Sequence, residues 1–95
     1  MLFAVMALDA PGLSDEKRKA VHPQHLAHVR TAKDYGISIV AGGPLVDDAN
    51  TTSIGSMMLL EAADRATIER FNKADPFNVN GIWGKVEIRR FDRKQ

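Results

Sequence analysis

The stretch ISIVAGGPLVDDANTTSIGSMMLLE, residues 37–61, decides the fold because it holds two predicted strands with no helix between them. The first strand, residues 37–42, is an apolar run rich in β-branched residues, and Gly43 and Pro44 are expected to stop it. A polar connection leads to the second strand, at about residues 53–61. The stretch therefore predicts a hairpin with a long loop.

A strand and a long helix are predicted before this hairpin. Residues 2–8 form a short apolar run that ends at a turn signal, as in a strand covered on both faces. Residues 13–36 carry the strongest helix signal, with Ser14 as the N-cap and Gly36 placed to end the helix. Pro23 interrupts this segment, which predicts either a kink just before it or a short helix followed by a second one.

A second helix and a last strand follow the hairpin. The helix spans about residues 63–74 and ends at Asp75-Pro76, because a residue before proline is pushed away from helical geometry. Residues 82–91 alternate loosely between apolar and polar, as in a strand with one solvated face. The order βαββαβ predicts an α+β, ferredoxin-like fold, with a four-stranded antiparallel sheet and two helices on one face.

The composition is that of one ordinary globular domain, residues 1–95, with 44% hydrophobic and 26% charged residues. The absence of cysteine excludes disulfides and thiolate metal sites. The formal net charge of +1 selects no polyanion, and a solvated strand explains the basic residues of IRRFDRK better than nucleic-acid binding. The first eight residues lack a basic flank and a cleavage site, so we expect a cytoplasmic protein without a membrane segment.

The second face of the predicted sheet has no element left to cover it. A chain of 95 residues also buries a modest fraction of its surface, and small domains often gain stability by oligomerising. We therefore expect a homodimer in which two copies pack sheet to sheet.

All three histidines lie in HPQHLAH, residues 22–28, at a spacing of three. That spacing turns each successive ring about 60° around a helix, so three rings fit one ion poorly and we expect no metal site. His25 falls in line with the apolar residues of the helix, on the face that packs inward. It is either a core histidine tied to a polar partner or a catalytic base, while His22 and His28 are expected on the solvated flanks.

A second group of candidate residues lies in ADPFNVNGIWG, residues 74–84. Asp75 stands at a helix end, where its side chain can cap local amides, and it could also meet an inward-facing His25. Phe77 and Trp83 supply aromatic walls of the kind found in small-molecule pockets, although packing in the core or a dimer explains Trp83 equally well.

The order of these motifs resembles the YciI-like family of small α+β proteins. The resemblance rests on DAPG, KRKAVHPQHLAHV, AGGPLVDD, IGSMMLLEAADR and ADPFNVNGIWGKVEIRRF, which together cover nearly the whole chain. It implies a dimeric α/β barrel with an active site made by His25, in Pro-x-His-Leu, and Asp75, in Asp-Pro-Phe. Arg18 matches a frequently basic position, and His22 stands where many relatives carry arginine.

The resemblance implies two reactions that need no cofactor. One is the dehydrochlorination of a chlorinated hydroxyhydroquinone, a lyase reaction of aromatic degradation, and the other is proton transfer as in the muconolactone isomerases of a similar barrel. Both need a base near neutral pH. His25 is therefore the predicted general acid/base, and Asp75 is the carboxylate that orients its ring.

The predicted ligand is a small aromatic or lactone-like molecule. Arg18 or His22 would hold its phenolate or carboxylate group, and Phe77 and Trp83 would stack against its ring. The sequence leaves two alternatives from other classes open: a regulatory dimer that binds a small ligand in the same pocket without converting it, and a structural partner of a larger enzyme.

Overall fold

Four strands form one antiparallel sheet. The computed structural model describes residues 1–95, and its strands are β1 (Leu2–Asp9), β2 (Ser38–Val46), β3 (Ser53–Glu61) and β4 (Trp83–Phe91). Their order across the sheet is β2-β3-β1-β4, and each neighbouring pair is antiparallel. Helices lie between β1 and β2 and between β3 and β4, so the predicted ferredoxin-like α+β architecture is confirmed.

One face of the sheet forms the hydrophobic core with the helices. Phe3 of β1 lies opposite Leu60 of β3, and Val5 lies opposite Met58. All four side chains are buried, and because side chains alternate along a strand their neighbours point to the other face. Residues from the helical segments complete the core: Val21, Ile68, Phe71 and Phe77.

The first helix, α1, runs over Asp15–Val29 without a break at Pro23. Its N-terminus is capped by Ser14, whose hydroxyl accepts a hydrogen bond from the Lys17 amide, as predicted. Pro23 is exposed on the solvated side of the helix. It has no amide hydrogen, so one backbone hydrogen bond of the helix is missing on that side. The alternative of a second helix that starts at Pro23 is therefore wrong.

The α1 helix also ends earlier than the sequence predicts, at Val29. Ala32–Tyr35 form a separate 3-10 turn, and Gly36 closes that turn with a φ of 77°. Glycine is favoured there because other residues rarely adopt this left-handed conformation.

Strand β2 continues through Gly43 and Pro44, so the prediction that these residues stop it is wrong. β2 lies at an edge of the sheet and pairs only with β3. Proline is tolerated there because an edge strand needs amide partners on one side only. The register between β2 and β3 also shifts between Ile39 and Ala41, as at a bulge.

The second helix, α2, spans Arg65–Ala74 and follows the N-cap Asp64. Thr67 donates through its hydroxyl and its amide to the Asp64 carboxylate, and these hydrogen bonds lower the pKa of Asp64. Asp75 ends α2 and caps a four-residue helix, α3 (Pro76–Val79), which no sequence pattern predicted. None of the helices has both the length and the apolar character needed to cross a membrane.

The other face of the sheet carries apolar side chains that a single chain leaves uncovered. Met6 is 39% exposed and Leu8 is 61% exposed. Met57 lies opposite Met6, and Leu59 lies one alternation further along β3. Within one chain, β1 is therefore covered on one face only, not on both faces as its apolar sequence suggests. This uncovered apolar surface is called the open face below.

Gly55 occupies a place in β3 where a side chain does not fit. A β-carbon built on Gly55 would collide with the backbone carbonyl oxygen of Ala7 in β1. We expect Gly55→Ala to lower the free energy of unfolding, measured in urea, by about 1–3 kcal/mol, because overpacking forces the backbone to shift. The control is Gly43→Ala, where a β-carbon meets nothing within 4 Å and the change should stay within about 0.5 kcal/mol. Equal losses in the two variants would contradict the steric explanation.

Candidate active site

A cavity of about 410 Å³ lies between α1 and the β2–β3 side of the sheet. This volume is in the range of small-molecule sites. The residues that line it come from α1, β2, β3, α3 and the loop before β3, and they include Arg18, His22, His25, Gly42, Ser56 and Phe77.

His25 lines this cavity. Asp75, which is not a lining residue, binds the imidazole ring. Nδ1 of His25 lies 2.8 Å from Oδ1 and 2.9 Å from Oδ2 of Asp75. The carboxylate is fully buried, while the imidazole side chain is 12% exposed. Because an ionised carboxylate only accepts hydrogen bonds, the hydrogen atom between the two side chains is on Nδ1, and in the neutral imidazole Nε2 is then free to accept another. The structure thus brings together the two residues that the sequence analysis selected as a catalytic pair.

The backbone around Asp75 aims its carboxylate at α1. Asp75 lies at the junction of α2 and α3, and its Oδ1 also accepts a hydrogen bond from the Phe77 amide at 2.9 Å. Without such partners, a fully buried carboxylate would carry a large desolvation cost. The same carboxylate therefore caps α3 and binds His25. Each of these two contacts supplies a hydrogen-bond donor to the buried oxygens.

Two aromatic rings hold the His25 imidazole in place. Phe77 stacks on it, with ring centroids 4.1 Å apart and planes 5° from parallel. Trp83 contacts both rings edge-on, at 5.8 Å from His25 and 5.7 Å from Phe77. Ring packing and the hydrogen bond to Asp75 together fix the orientation of the imidazole, as a preorganised proton-transfer group requires.

Trp83 does not line the cavity. It is buried, and its indole Nε1 donates a hydrogen bond to Oγ of Ser56 at 3.1 Å. The indole packs on Phe77 and His25 within the core, so the predicted stacking of Trp83 on a ligand ring has no support in this arrangement and the alternative of core packing describes its contacts. Phe77 borders the cavity but is itself 1% exposed, since His25 stacks on its ring and Arg18 lies over it.

Arg18 is held on the cavity wall by three acceptors. Its Nε donates to the Asp9 carboxylate at 2.9 Å, and its Nη2 donates to the Gly55 carbonyl at 3.0 Å and to Ser56 Oγ at 3.3 Å. Its guanidinium carbon lies 4.8 Å from the ring centroid of Phe77, a cation–π distance. The side chain is thus a paired, largely buried cation that still borders the cavity.

The other two histidines have different neighbours. His22 is exposed and lines the cavity, with its ring centroid 6.3 Å from that of His25. His28 donates from Nε2 to the Phe71 carbonyl at 2.7 Å and stacks on the Phe71 ring, so it ties α1 to α2 rather than lying free on a flank. No group of three or more histidine, aspartate or glutamate side chains is arranged to hold a metal ion.

The loop between β2 and β3 forms part of the cavity wall through Thr51 and Thr52. The backbone amides of both threonines donate to the Asp47 carboxylate, and these hydrogen bonds lower the pKa of Asp47. At neutral pH the ionised Asp47 therefore orders this part of the wall.

Ser56 is a polar cavity residue that the sequence analysis missed. It belongs to the apolar stretch SIGSMMLLE and lies on the same face of β3 as Met58 and Leu60. An inward-facing hydroxyl in an apolar strand needs hydrogen-bond partners, so the alternation along β3 is the signal that could have identified it.

The chain is similar to known proteins over nearly its whole length. The family model of the YCII-related domain matches residues 1–92. Protein YciI from Escherichia coli O6:H1 is 29% identical over 97 residues, an alignment that covers 98% of each chain. An uncharacterized protein from Haemophilus influenzae is 27% identical with the same coverage.

Solved structures show the same likeness. The 5-chloro-2-hydroxyhydroquinone dehydrochlorinase (TftG) from Burkholderia phenoliruptrix, in complex with 2,5-dihydroxybenzoquinone, matches with a TM-score of 0.80 and 28% identity over 97% of this chain and 94% of that chain. A Pseudomonas aeruginosa structure shares the fold at a TM-score of 0.57 and 17% identity, over 99% of this chain and 93% of that one. Because the family model spans residues 1–92, the chain belongs to the family of YCII-related domain proteins.

Proposed function

We propose that this chain is a cofactor-independent enzyme that removes hydrogen chloride from a chlorinated hydroxyhydroquinone. The observation that carries the proposal is the pair of His25 and Asp75, 2.8 Å apart, on the wall of a cavity of about 410 Å³. The likeness to TftG, a dehydrochlorinase in complex with a hydroxylated quinone, supports this reaction class.

His25 is the general acid/base of the proposed reaction. Its Nε2 takes the proton of a ring hydroxyl and returns a proton to the carbon that bears chlorine, so that the oxygen becomes a carbonyl and the carbon becomes tetrahedral. Loss of a second hydroxyl proton then forms another carbonyl and expels chloride. The products are a hydroxybenzoquinone, one proton and one chloride ion, and the balance requires no oxidant.

Asp75 is the positioning residue of this pair. Its carboxylate keeps the Nδ1–H form of His25 and stabilises the imidazolium that forms when Nε2 takes a proton. Full burial excludes competing water, and the Phe77 amide holds Oδ1 in place. Histidine suits the reaction because its unperturbed pKa lies near neutral pH, so it can both take and return a proton.

Positive charge around the cavity suits ionised ring oxygens. The cations Arg18 and Lys19 line it together with His22, whose ring can donate a hydrogen bond, against the single carboxylate of Asp15. In the proposal, Arg18 and His22 hold a phenolate oxygen, while Phe77, stacked on His25, keeps the imidazole in position rather than contacting the ligand with an open ring face.

We further propose that the protein works as a homodimer, in which the open face of one chain covers that of another as in a dimeric α/β barrel. The support is the exposure of large apolar side chains there, 39% for Met6 and 61% for Leu8, on a sheet whose other face is packed. Removing such a surface from water is favourable at about 25 cal/mol for each Å² buried.

The first test is chloride release from 5-chloro-2-hydroxyhydroquinone by the purified chain. We expect His25→Ala and Asp75→Asn each to lower kcat by about 10²- to 10⁴-fold, since positioned proton transfer contributes that much to rates. Circular dichroism at the assay temperature checks that the variants are folded.

The matched control is His28→Gln, which changes another histidine of α1 that lies outside the cavity and should keep kcat within about twofold. Parent rates in folded His25→Ala and Asp75→Asn variants would overturn the assignment. Thermal stabilisation by 2,5-dihydroxybenzoquinone without chloride release from the substrate would instead favour the regulatory binding protein.

The second test is the mass of the protein in solution. We expect sedimentation to give the mass of two chains for the parent and of one chain for Met6→Glu, because a charge buried at the open face costs several kcal/mol. Lys17→Glu, a charge change on exposed α1 surface, is the control and should remain a dimer. A parent of one-chain mass at micromolar concentration would contradict the proposed assembly.

A further inference from the structure

Ser56 is an inward-facing hydroxyl at the border between the core and the cavity. It lies in β3 opposite Ala7 of β1 and is 8% exposed. It lines the same cavity as His25 and Phe77, although it belongs to the sheet and they belong to helices. The hydroxyl therefore faces a ligand site from the side of the sheet.

The oxygen of Ser56 already accepts two hydrogen bonds. Trp83 Nε1 donates to it at 3.1 Å and Arg18 Nη2 donates to it at 3.3 Å. Indole and guanidinium nitrogens are donors only, so neither can accept the hydroxyl proton. Both lone pairs of Oγ are engaged and the hydroxyl proton has no acceptor within the protein, so it is available to a ligand in the cavity that Ser56 lines.

Arg18 presents a second donor to the same wall. Its Nε is bound by Asp9, and its Nη2 is bound by the Gly55 carbonyl and by Ser56. Nη1, with two further N–H bonds, has no acceptor within the protein. The contact from Arg18 also polarises the Ser56 hydroxyl, because a cationic donor on its oxygen strengthens the bond that its hydrogen makes.

We propose that the Ser56 hydroxyl and Arg18 Nη1 together bind an acceptor oxygen of the ligand, a phenolate or a quinone carbonyl. This inference rests on the proposed function and names Ser56 as a further substrate-binding residue. The pair stabilises a ring oxygen on which negative charge develops, while His25, which lines the same cavity, transfers the proton. The site thereby favours a ligand with a phenolate or carbonyl oxygen at this position. A ligand with a hydroxyl that must donate a hydrogen bond there is disfavoured.

Removing the hydroxyl alone would mix two effects. Ser56→Ala takes away the proposed donor to the ligand, and it also leaves the buried indole N–H of Trp83 without an acceptor, which is costly by itself. Trp83→Phe removes the indole N–H and keeps the hydroxyl. Ser56→Ala is therefore compared in the parent and in the Trp83→Phe background. The comparison separates the loss of the ligand contact from the cost of an unpaired indole N–H in the core.

The experiment is calorimetric titration of the full chain with 2,5-dihydroxybenzoquinone, the ring bound by TftG. We expect Ser56→Ala to raise Kd by about 10- to 100-fold, as for the loss of a hydrogen bond to a charged oxygen. The double variant should show the same loss relative to Trp83→Phe. Ser56→Cys, which keeps the shape but donates weakly, should reproduce the loss if Ser56→Ala does not fold.

The outcomes distinguish the two levels of the proposal. If the parent binds the quinone and the double variant binds it as tightly as Trp83→Phe does, Ser56 is structural and this inference fails while the proposed function stands. If the parent releases chloride but does not bind the quinone at millimolar concentration, this inference fails alone; if it does neither, the proposed function fails and takes this inference with it.

Discussion

The structure depends on the burial of one carboxylate, that of Asp75. An ion fully removed from water costs several kcal/mol unless donors replace its hydration, and Asp75 finds them in the Phe77 amide and the His25 imidazole. His25 comes from α1, 50 residues away along the chain. The carboxylate is satisfied only when α1 docks against the junction of α2 and α3, so the interaction that completes the packing also assembles the candidate site.

Local patterns in the sequence predicted the elements and much of the site. Ser14 predicted a helix start, the order of apolar runs predicted the βαββαβ sheet, and helical phase turned His25 inward. These features depend on neighbours a few residues away, which a sequence displays directly. Asp75 followed from its position before a proline, which marks a helix end.

The features that the sequence did not predict depend on contacts between distant segments. Pro44 looked like a stop signal, and only the edge position of β2 makes it tolerable within a strand. The sequence suggested that Trp83 contacts a ligand, whereas in the fold its indole nitrogen donates a hydrogen bond to Ser56. Arg18 of α1 is hydrogen-bonded to residues of β1 and β3. No repeating pattern of apolar residues in the sequence predicts a contact between these three elements.

The two edges of the sheet have a consequence for how this protein meets other chains. On β2, Pro44 offers no amide hydrogen, and the adjacent Gly43 adds no side chain to the edge. On β4, Lys85, Glu87 and Arg89 bring charge to the other edge. Edges of this kind are poor templates for strand addition, which is the usual route from a small sheet to a fibril. Sideways aggregation is thus disfavoured by the chemistry of the outer strands, even though the sheet between them is rich in methionine and leucine.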